Sequence, residues 1–444
     1  MEAPTNSTNK FMQVLNIIKN FIIVNLFIFI IVGITIFIIG MMEGGKAALR
    51  QTEYNAKCFP NKETRLDFCM KNFSDIPDLE QQPLKETYNN IFYNNPVFPH
   101  ALRDYFYAAS YKSYLPCGNT NDIVSIEPLQ QIIKKGIRVI NLDIFYDGEG
   151  PFEPQSKIVV GNVIEETITA PDSNNVMQTY TIKKLSTIEE CDNQWFGQKY
   201  LEFIDCLNLI KSEAWVKYDT PFFLYLNMEF EPNTRLEYQI FSQIVNTMPK
   251  RLLDKFYGFQ RVNIGAVPYK RAKNKLIIIT NRKPINNFLD EITNSVMSPL
   301  SVGIKLYTLS PAAAKLGDPL PEGLDPVISQ ARINTGQNMV AVIKTNPENK
   351  NNIFNPKIDI ENYDTAPNFE RGVSITFFNF QIFDKNDENC KKYMTKFKNG
   401  GVVLKPESYW YIPKPPEPRQ ERNKQMDYNN VSVQGLGGFM DFNI

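Results

Sequence analysis

The chain has 444 residues, with 48 basic and 48 acidic side chains that cancel to a formal net charge of zero. A chain without net positive charge gives no electrostatic reason to bind nucleic acid, so we expect no nucleic-acid partner. The chain contains a single histidine, His100, which excludes any mechanism that needs one histidine as base and another as acid. We interpret His100 as a structural or surface residue.

The N-terminal part predicts a membrane anchor. Residues 1–20 form a tail, and residues 21–42 are an apolar run without a charge. A membrane-spanning helix needs about 20 apolar residues, whereas the apolar region of a cleaved signal peptide, the alternative, has about 7–15. We therefore expect a single-pass membrane protein. The side and the identity of the membrane stay open, because two basic residues lie near each end of the run.

Residues 43–99 are interpreted as a polar connector with short helical pieces. The connector contains Cys58 and Cys69, close together in the sequence. A disulfide between them and two free thiols are both compatible with the sequence.

From residue 100 onward, strand patterns alternate with helix patterns, which is typical of a parallel sheet and, at this length, of a (β/α)₈ TIM-type barrel. We expect a first half-barrel at 100–283, an irregular linker at 284–300 and a second half-barrel at 301–410. The predicted strands lie at 137–147, 157–162, 221–230, 275–280, 338–344 and 372–381, and the predicted helices at 125–136, 197–213 and 235–247.

The last segment, 411–444, is a Pro-rich C-terminal arm. Its residues 413–425 are proline-rich and charged, which is typical of an extended linker. The tip of the arm carries apolar side chains at Leu436, Phe439, Met440 and Phe442. We expect this arm to bind a protein partner or another copy of the chain.

Three stretches, in order, resemble the catalytic barrel of the eukaryotic-type phosphoinositide phospholipases C, in both its X and its Y half. They are "DYFYAASYKSYL" (104–115), "IEPLQQIIKKGIRVINLDIFYDGEG" (126–150), and "GVSITFFNFQ" (372–381) followed by "NGGVVLKPE" (399–407). The resemblance implies a phosphodiesterase-type barrel over residues 100–410.

The resemblance also implies that the catalytic residues are replaced. The positions of the two catalytic histidines of the family correspond to Tyr111 and Val160. A tyrosine side chain titrates near ~10 and a valine side chain does not titrate, so neither shuttles a proton near neutral pH.

The calcium ligands of the family correspond to Lys112, Asn141, Asp143 and Asn227. A hard dication prefers several carboxylate oxygens, and an ammonium group repels it. The resemblance therefore implies that calcium binding is lost and that no cofactor replaces it. We expect Lys112 to occupy the position of the metal and to pair with Asp143.

Three further residues belong to this degenerate pocket. Glu229 lies two residues after Asn227 and is expected on the same face of the strand, where a relocated metal site is the less favoured alternative. Arg282 and Lys283 lie beside the positions of the substrate-binding lysines of the family and could partly replace them.

These observations favour a membrane-anchored, catalytically inactive barrel that acts as a structural or binding module, in a membrane-containing virion or an endomembrane scaffold. Two alternatives stay open. The first is an active phosphodiesterase on phosphodiester lipids that uses Tyr111, Lys112 and Asp143. The second is binding of a lipid headgroup without hydrolysis. Fold alone does not decide between them, because function depends on the site.

Overall fold

The structure is a computed structural model. It describes residues 70–116, 124–148, 150–151, 153, 155–171, 177–185, 200–301, 303–309, 338–344 and 362–412. The predicted anchor at 21–42, both connector cysteines and the arm from residue 413 lie outside these residues. Within the described ranges, no helix has both the length and the apolar character needed to cross a membrane.

The strands are numbered along the chain. They are β1 (Thr87–Asn89), β2 (Val97–Pro99), β3 (Tyr105–Ser110), β4 (Val139–Asp147), β5 (Lys157–Val160), β6 (Val163–Pro171), β7 (Met177–Leu185), β8 (Leu201–Glu202), β9 (Phe222–Met228), β10 (Leu276–Thr280), β11 (Ser295–Ser298), β12 (Ile304–Leu309), β13 (Met339–Lys344), β14 (Ile375–Phe378) and β15 (Val402–Leu404). The helices are α1 (Ile126–Lys134), α2 (Phe203–Glu213), α3 (Thr234–Thr247), α4 (Tyr269–Ala272), α5 (Asn287–Ile292), α6 (Ala366–Glu370) and α7 (Glu388–Lys396).

Eight of these strands close into a parallel barrel. In chain order, β3, β4, β9, β10, β11, β12, β13 and β14 each pair in parallel with the next, and β14 pairs in parallel with β3. The predicted (β/α)₈-type barrel is confirmed. The additional strand β15 lies antiparallel to the first half of β3.

The interior of the barrel is filled by side chains. Along β3 and β9, alternate residues point inward, and the rings of Tyr107 and Phe223 meet there with their centroids 4.7 Å apart. Ile279 and Ile375 belong to the same buried cluster. The barrel is therefore a packed core, and polar chemistry is confined to its ends.

The strand predicted at 157–162 was placed wrongly in the parallel sheet. It forms β5, which runs antiparallel to the last four residues of β4 and lies outside the closed ring. A parallel crossover needs a dozen or more residues. The connection at 148–156 is too short for one, so the chain returns antiparallel.

The prediction of an irregular linker at 284–300 was also wrong. This segment contains α5 and β11, which is a full member of the barrel. The sequence of β11 is Ser-Val-Met-Ser, and Ser295 is buried although it is polar. A four-residue strand without an apolar run has no periodicity that would reveal it.

Part of the predicted connector belongs to the folded unit. Phe73, Ile76 and Leu79 are buried in the core, and the antiparallel hairpin β1–β2 packs Tyr88 against Trp410 with ring centroids 5.7 Å apart. The described residues from 70 to 99 are therefore a packed extension of the barrel. The helix predicted at 197–213 begins at Phe203, and residues 197–199 lie outside the described part.

Candidate functional site

The candidate site lies at the mouth of the barrel, defined as the C-terminal ends of β3, β4 and β9. Asn141 and Asp143 are two residues apart on β4 and share its inner face. Asp143 is paired in register with Asn227 on β9. Lys112 follows the end of β3. The barrel therefore brings together the four positions that correspond to the calcium ligands of the family.

An ion pair is at the centre of this mouth. The Lys112 Nζ atom lies 2.7 Å from Asp143 Oδ2, and the two side chains are only 14% and 1% exposed. Burial by itself would lower the pKa of Lys112, but the Asp143 carboxylate more than compensates, so the pKa lies above its ordinary value. Lys112 is therefore an ammonium group at neutral pH, and the ion pair expected from the sequence is present.

The second oxygen of Asp143 is also occupied. Asn227 Nδ2 donates a hydrogen bond of 3.0 Å to Asp143 Oδ1, and Asn141 Nδ2 donates a longer one of 3.4 Å to the same atom. The carboxylate is thus surrounded by one ammonium and two amide donors.

A strained turn fixes the position of Lys112. Its backbone has φ of 47°, in the left-handed region that residues other than glycine rarely adopt. Gln381 Nε2 holds this turn by donating hydrogen bonds of 2.7 Å to Tyr111 O and 2.8 Å to Lys112 O. Sequence reasoning did not assign Gln381 a role, although it ends the Asn-Phe-Gln stretch on which the resemblance rests.

The two positions of the catalytic histidines are apolar or nearly so. Burial raises the pKa of Tyr111, so its hydroxyl stays protonated at neutral pH and is not a general base. The Tyr111 ring lies 5.5 Å from Lys112 Nζ. Val160 is fully buried on β5, opposite Ile144 of β4.

The second carboxylate at the mouth, Glu229, is likewise paired. Its Oε1 atom accepts a hydrogen bond of 2.5 Å from Asn227 Nδ2, and its Oε2 atom lies 2.6 Å from Lys183 Nζ on β7. Asn227 therefore bridges the two carboxylates. Together the residues form a continuous network that we call the mouth network, with the order Lys112, Asp143, Asn227, Glu229, Lys183. Sequence reasoning missed Lys183, because β7 is distant from the motifs.

Arg282 does not join the mouth network. Its Nη1 atom lies 2.6 Å from Oε1 of Glu237, a fully buried residue of α3. The other oxygen of Glu237 accepts hydrogen bonds of 2.7 Å from the backbone N–H groups of Ile285 and Asn286. Arg282 thus fastens the loop after β10 to α3, and Lys283 is exposed. Among the described residues, no contact joins Arg282 to the mouth network. That these two residues replace the substrate-binding lysines stays a prediction.

The donor set at the mouth does not fit a calcium ion. The ion requires six to eight oxygen ligands. Here one carboxylate faces an ammonium nitrogen at 2.7 Å, and the amide nitrogens of Asn141 and Asn227 point at it as donors. Across the described ranges, no group of three or more histidine, cysteine, aspartate or glutamate side chains is arranged to hold a metal ion.

His100 lies at the opposite end of the barrel, before β3. It is fully buried, its ring packs on Trp410 and Tyr88 with centroids 4.4 and 5.1 Å away, and its Nδ1 atom lies 3.5 Å from Asp104 Oδ2. The structural interpretation of this residue is confirmed.

Solved structures similar to this chain include two named PLC21. PLC21 of S. officinalis is 14% identical, with 71% of this chain and 38% of that chain covered and a TM-score of 0.49. PLC21 of L. pealei is 14% identical, with 70% and 38% covered and a TM-score of 0.48. This chain thus matches 38% of the length of each.

A calcium-dependent phosphoinositol-specific phospholipase C from a Pseudomonas sp. is 11% identical, with 65% of this chain and 93% of that chain covered and a TM-score of 0.36. No family model and no curated protein matches the sequence. The barrel itself is assigned from its own strand pairing.

Proposed function

We propose that this protein is a membrane-anchored, catalytically inactive barrel of the phosphoinositide phospholipase C type that acts as a structural or binding module. The observation that carries the proposal is the ion pair between Lys112 and Asp143. It sets an ammonium group in the space that the resemblance gives to calcium, 2.7 Å from the carboxylate.

The mouth network supports the same conclusion. Each charged group in it already has a partner of opposite charge, and Asn227 bridges the two carboxylates. A mechanism of general acid–base catalysis needs a group that exchanges a proton near the working pH. The pKa values of Lys112 and Tyr111 are both shifted upward, away from neutrality, so neither residue serves as a base there.

A turnover assay tests the proposal. Purified full-length protein is mixed with phosphatidylinositol bisphosphate in detergent micelles, with calcium or with a chelator, and released inositol phosphate is measured beside a calcium-dependent phospholipase C. We expect no release above background in either condition. Loss of general acid–base catalysis alone typically lowers the reaction rate about 10²–10⁴-fold. Release that Asp143→Ala abolishes would contradict the proposal and favour the active alternative.

The attachment to a membrane and to a partner completes the proposal. The apolar run at 21–42 is long enough to anchor the barrel in a membrane. The arm from residue 413 is proposed to bind a protein partner or another copy of the chain. Alkaline extraction of membranes from expressing cells tests the anchor. We expect the full chain to remain in the pellet, and full release into the supernatant would contradict it.

A further inference from the structure

The β1–β2 hairpin presents an apolar tip to solvent at the bottom of the barrel, the end opposite the mouth, where β3 begins. Ile91 and Phe92 lie in the turn that joins the two strands, and Val97 begins β2. These side chains are 78%, 58% and 65% exposed, and we call the three residues the hairpin tip. Residues 87–102 contain no aspartate, glutamate, lysine or arginine. Exposed apolar surface of this kind marks an interaction site.

Hydrogen bonds hold the turn that carries the hairpin tip. The buried Asn90 side chain accepts a hydrogen bond of 2.8 Å from the Phe92 N–H group, and the Asn90 N–H group donates one of 3.1 Å to Pro96 O. At the base of the hairpin, the Tyr88 ring packs on His100 with centroids 5.1 Å apart. A backbone group that is already hydrogen-bonded costs less to remove from water. The hairpin tip therefore projects as a preformed unit.

The bottom of the barrel is basic, although the whole chain is neutral. In the part of the chain that the structure describes, five connections lead from a helix to a barrel strand there, at 135–138, 214–221, 248–275, 293–294 and 371–374. Two acidic residues, Asp219 and Asp254, stand in them against 12 basic ones, which are Lys135, Arg138, Lys217, Lys250, Arg251, Lys255, Arg261, Lys270, Arg271, Lys273, Lys275 and Arg371. The segment 76–104, which contains the hairpin, adds two basic and four acidic residues, so the bottom keeps a net positive charge. Four connections at the mouth, 111–116, 229–233, 281–286 and 379–387, carry four residues of each sign.

Three basic residues beside the hairpin have no acidic partner. Lys85 precedes β1, and Lys270 and Arg271 lie on α4. All three are exposed, and none of them forms an ion pair with another described residue. The Tyr269 N–H group of α4 donates a hydrogen bond of 2.9 Å to His100 O, which joins α4 to the base of the hairpin. Free positive charge therefore lies next to the hairpin.

Most acidic residues near the hairpin are neutralised or buried. Glu86 pairs with Lys273 at 3.0 Å, and Asp104 is buried. Glu80 and Glu407 are the exposed exceptions. The surface around the hairpin thus combines an uncharged apolar projection with an excess of free basic groups. A negatively charged bilayer surface attracts lysine and arginine side chains that lie close to it.

We propose that the bottom of the barrel rests on an anionic bilayer surface, with the hairpin tip inserted between the lipid headgroups. An apolar projection flanked by basic groups matches such a surface. A stable protein interface buries about 1,200–2,000 Å², far more than three side chains supply, and it needs a partner shaped to receive the projection, whereas a fluid bilayer adapts to it. The inference rests on the proposed function, because the predicted anchor at 21–42 brings a bilayer close to the barrel. In this orientation the mouth network faces away from the bilayer.

Fluorescence quenching in vesicles tests the position of the hairpin tip. Full-length wild type, Phe92→Trp and Leu300→Trp are reconstituted in vesicles of phosphatidylcholine and phosphatidylserine, with and without brominated acyl chains. Leu300 is the matched control, because it is 94% exposed and follows β11 at the mouth. Subtraction of the wild-type signal removes the three native tryptophans. We expect the brominated lipid to reduce the added fluorescence of Phe92→Trp by about half and to leave that of Leu300→Trp unchanged.

The outcomes separate this inference from the proposed anchor. Equal quenching of the two variants, or no quenching in either, overturns the inference even when the protein resists alkaline extraction. Quenching confined to Phe92→Trp at neutral pH, followed by complete release from the vesicles on alkaline extraction, contradicts the anchor and supports the contact between the bottom of the barrel and the bilayer.

A charge reversal tests the role of the basic groups. In the Phe92→Trp background, Lys270→Glu with Arg271→Glu should lower the quenching about twofold in vesicles that contain phosphatidylserine, because two attractive groups become repulsive. Lys385→Glu with Lys391→Glu makes the same change of charge at exposed positions near the mouth and should leave the quenching unchanged. If the two double variants are quenched equally, charge does not select the bilayer surface, and the assignment to anionic lipid is wrong.

Discussion

The Lys112 ammonium lies 2.7 Å from the Asp143 carboxylate at the mouth of the barrel, and both side chains are almost completely withdrawn from water. An unpaired buried charge is costly, whereas a pair with further hydrogen bonds is tolerated. Lys112 follows the end of β3 and Asp143 lies on the adjacent strand β4, and loss of either residue leaves the other charge without its ion-pair partner. This ion pair predicts how substitutions at the mouth change the free energy of unfolding.

The turn that presents Lys112 should depend on Gln381. Gln381→Met keeps the volume but removes two partly buried hydrogen bonds to the carbonyls of Tyr111 and Lys112. We expect the free energy of unfolding to fall by about 1–3 kcal/mol, because those carbonyls lose their donors. Urea unfolding measures this change. The exposed Gln82→Met is the control, and equal stability of the two variants would speak against a role of Gln381 in the turn.

A second lysine, Lys405, predicts a pH dependence. It is buried and donates hydrogen bonds to Gly372 O at 2.7 Å and Ser374 Oγ at 2.9 Å, and burial lowers its pKa to about 7. The folded state therefore binds a proton less readily than the unfolded state. As the pH falls from about 10.5 to 7, the unfolded lysine is protonated first, so the protein loses stability over this window and no further below it.

The test compares the free energies of unfolding of wild type and Lys405→Met between pH 7 and pH 9.5. We expect the stability of wild type relative to the variant to rise with pH by up to about 1.4 kcal/mol per unit. The exposed Lys398→Met should show a constant difference from wild type. A pH-independent difference for Lys405→Met would mean that Lys405 is charged in the folded state.

The ion pair of Lys183 with Glu229 should fasten the β6–β7 hairpin to the mouth. Both side chains are partly exposed, so Lys183→Met should change global stability by less than about 1 kcal/mol. Hydrogen exchange should nevertheless become faster both in the hairpin and at residues 227–230. Lys184 pairs with Glu166 inside the hairpin at 2.7 Å, so Lys184→Met should affect the hairpin alone. Unchanged exchange at 227–230 in Lys183→Met would refute the link.

The barrel and the centre of its mouth could be predicted from the sequence for a clear reason. Buried parallel strands are near-continuous apolar runs separated by helices. β9 and β10 have such runs, and β4 has one that only Asn141 and Asp143 interrupt before its last residue. Asp143 lies two residues after Asn141, so both side chains are predicted on one face of β4. The stretch 104–115, which resembles the first strand of the family, predicts that Lys112 follows the end of the adjacent strand β3. Local pattern and tertiary structure agree at these positions.

The features that the sequence did not predict depend on contacts between residues that are far apart in the sequence. Arg282 pairs with Glu237, 45 residues earlier in the chain, and this pairing was not predicted. Gln381 reaches Tyr111 across 270 residues. The strand β11 carries buried serine in place of an apolar run, and its register with β10 and β12 defines it. Such relationships have no signature in a single sequence.

The most direct test of the central claim is a double-mutant cycle on Lys112 and Asp143, measured as free energy of unfolding in denaturant. Lys112→Met and Asp143→Leu should each destabilise the protein by up to about 3–5 kcal/mol, because each leaves a buried charge without its partner. The double variant should be much less destabilised than the sum of the two, because both charges are gone. If the single substitutions are nearly neutral, or if their changes in unfolding free energy simply add, then Lys112 does not neutralise Asp143 in the place of a metal ion. That result would contradict the proposed role of the ion pair.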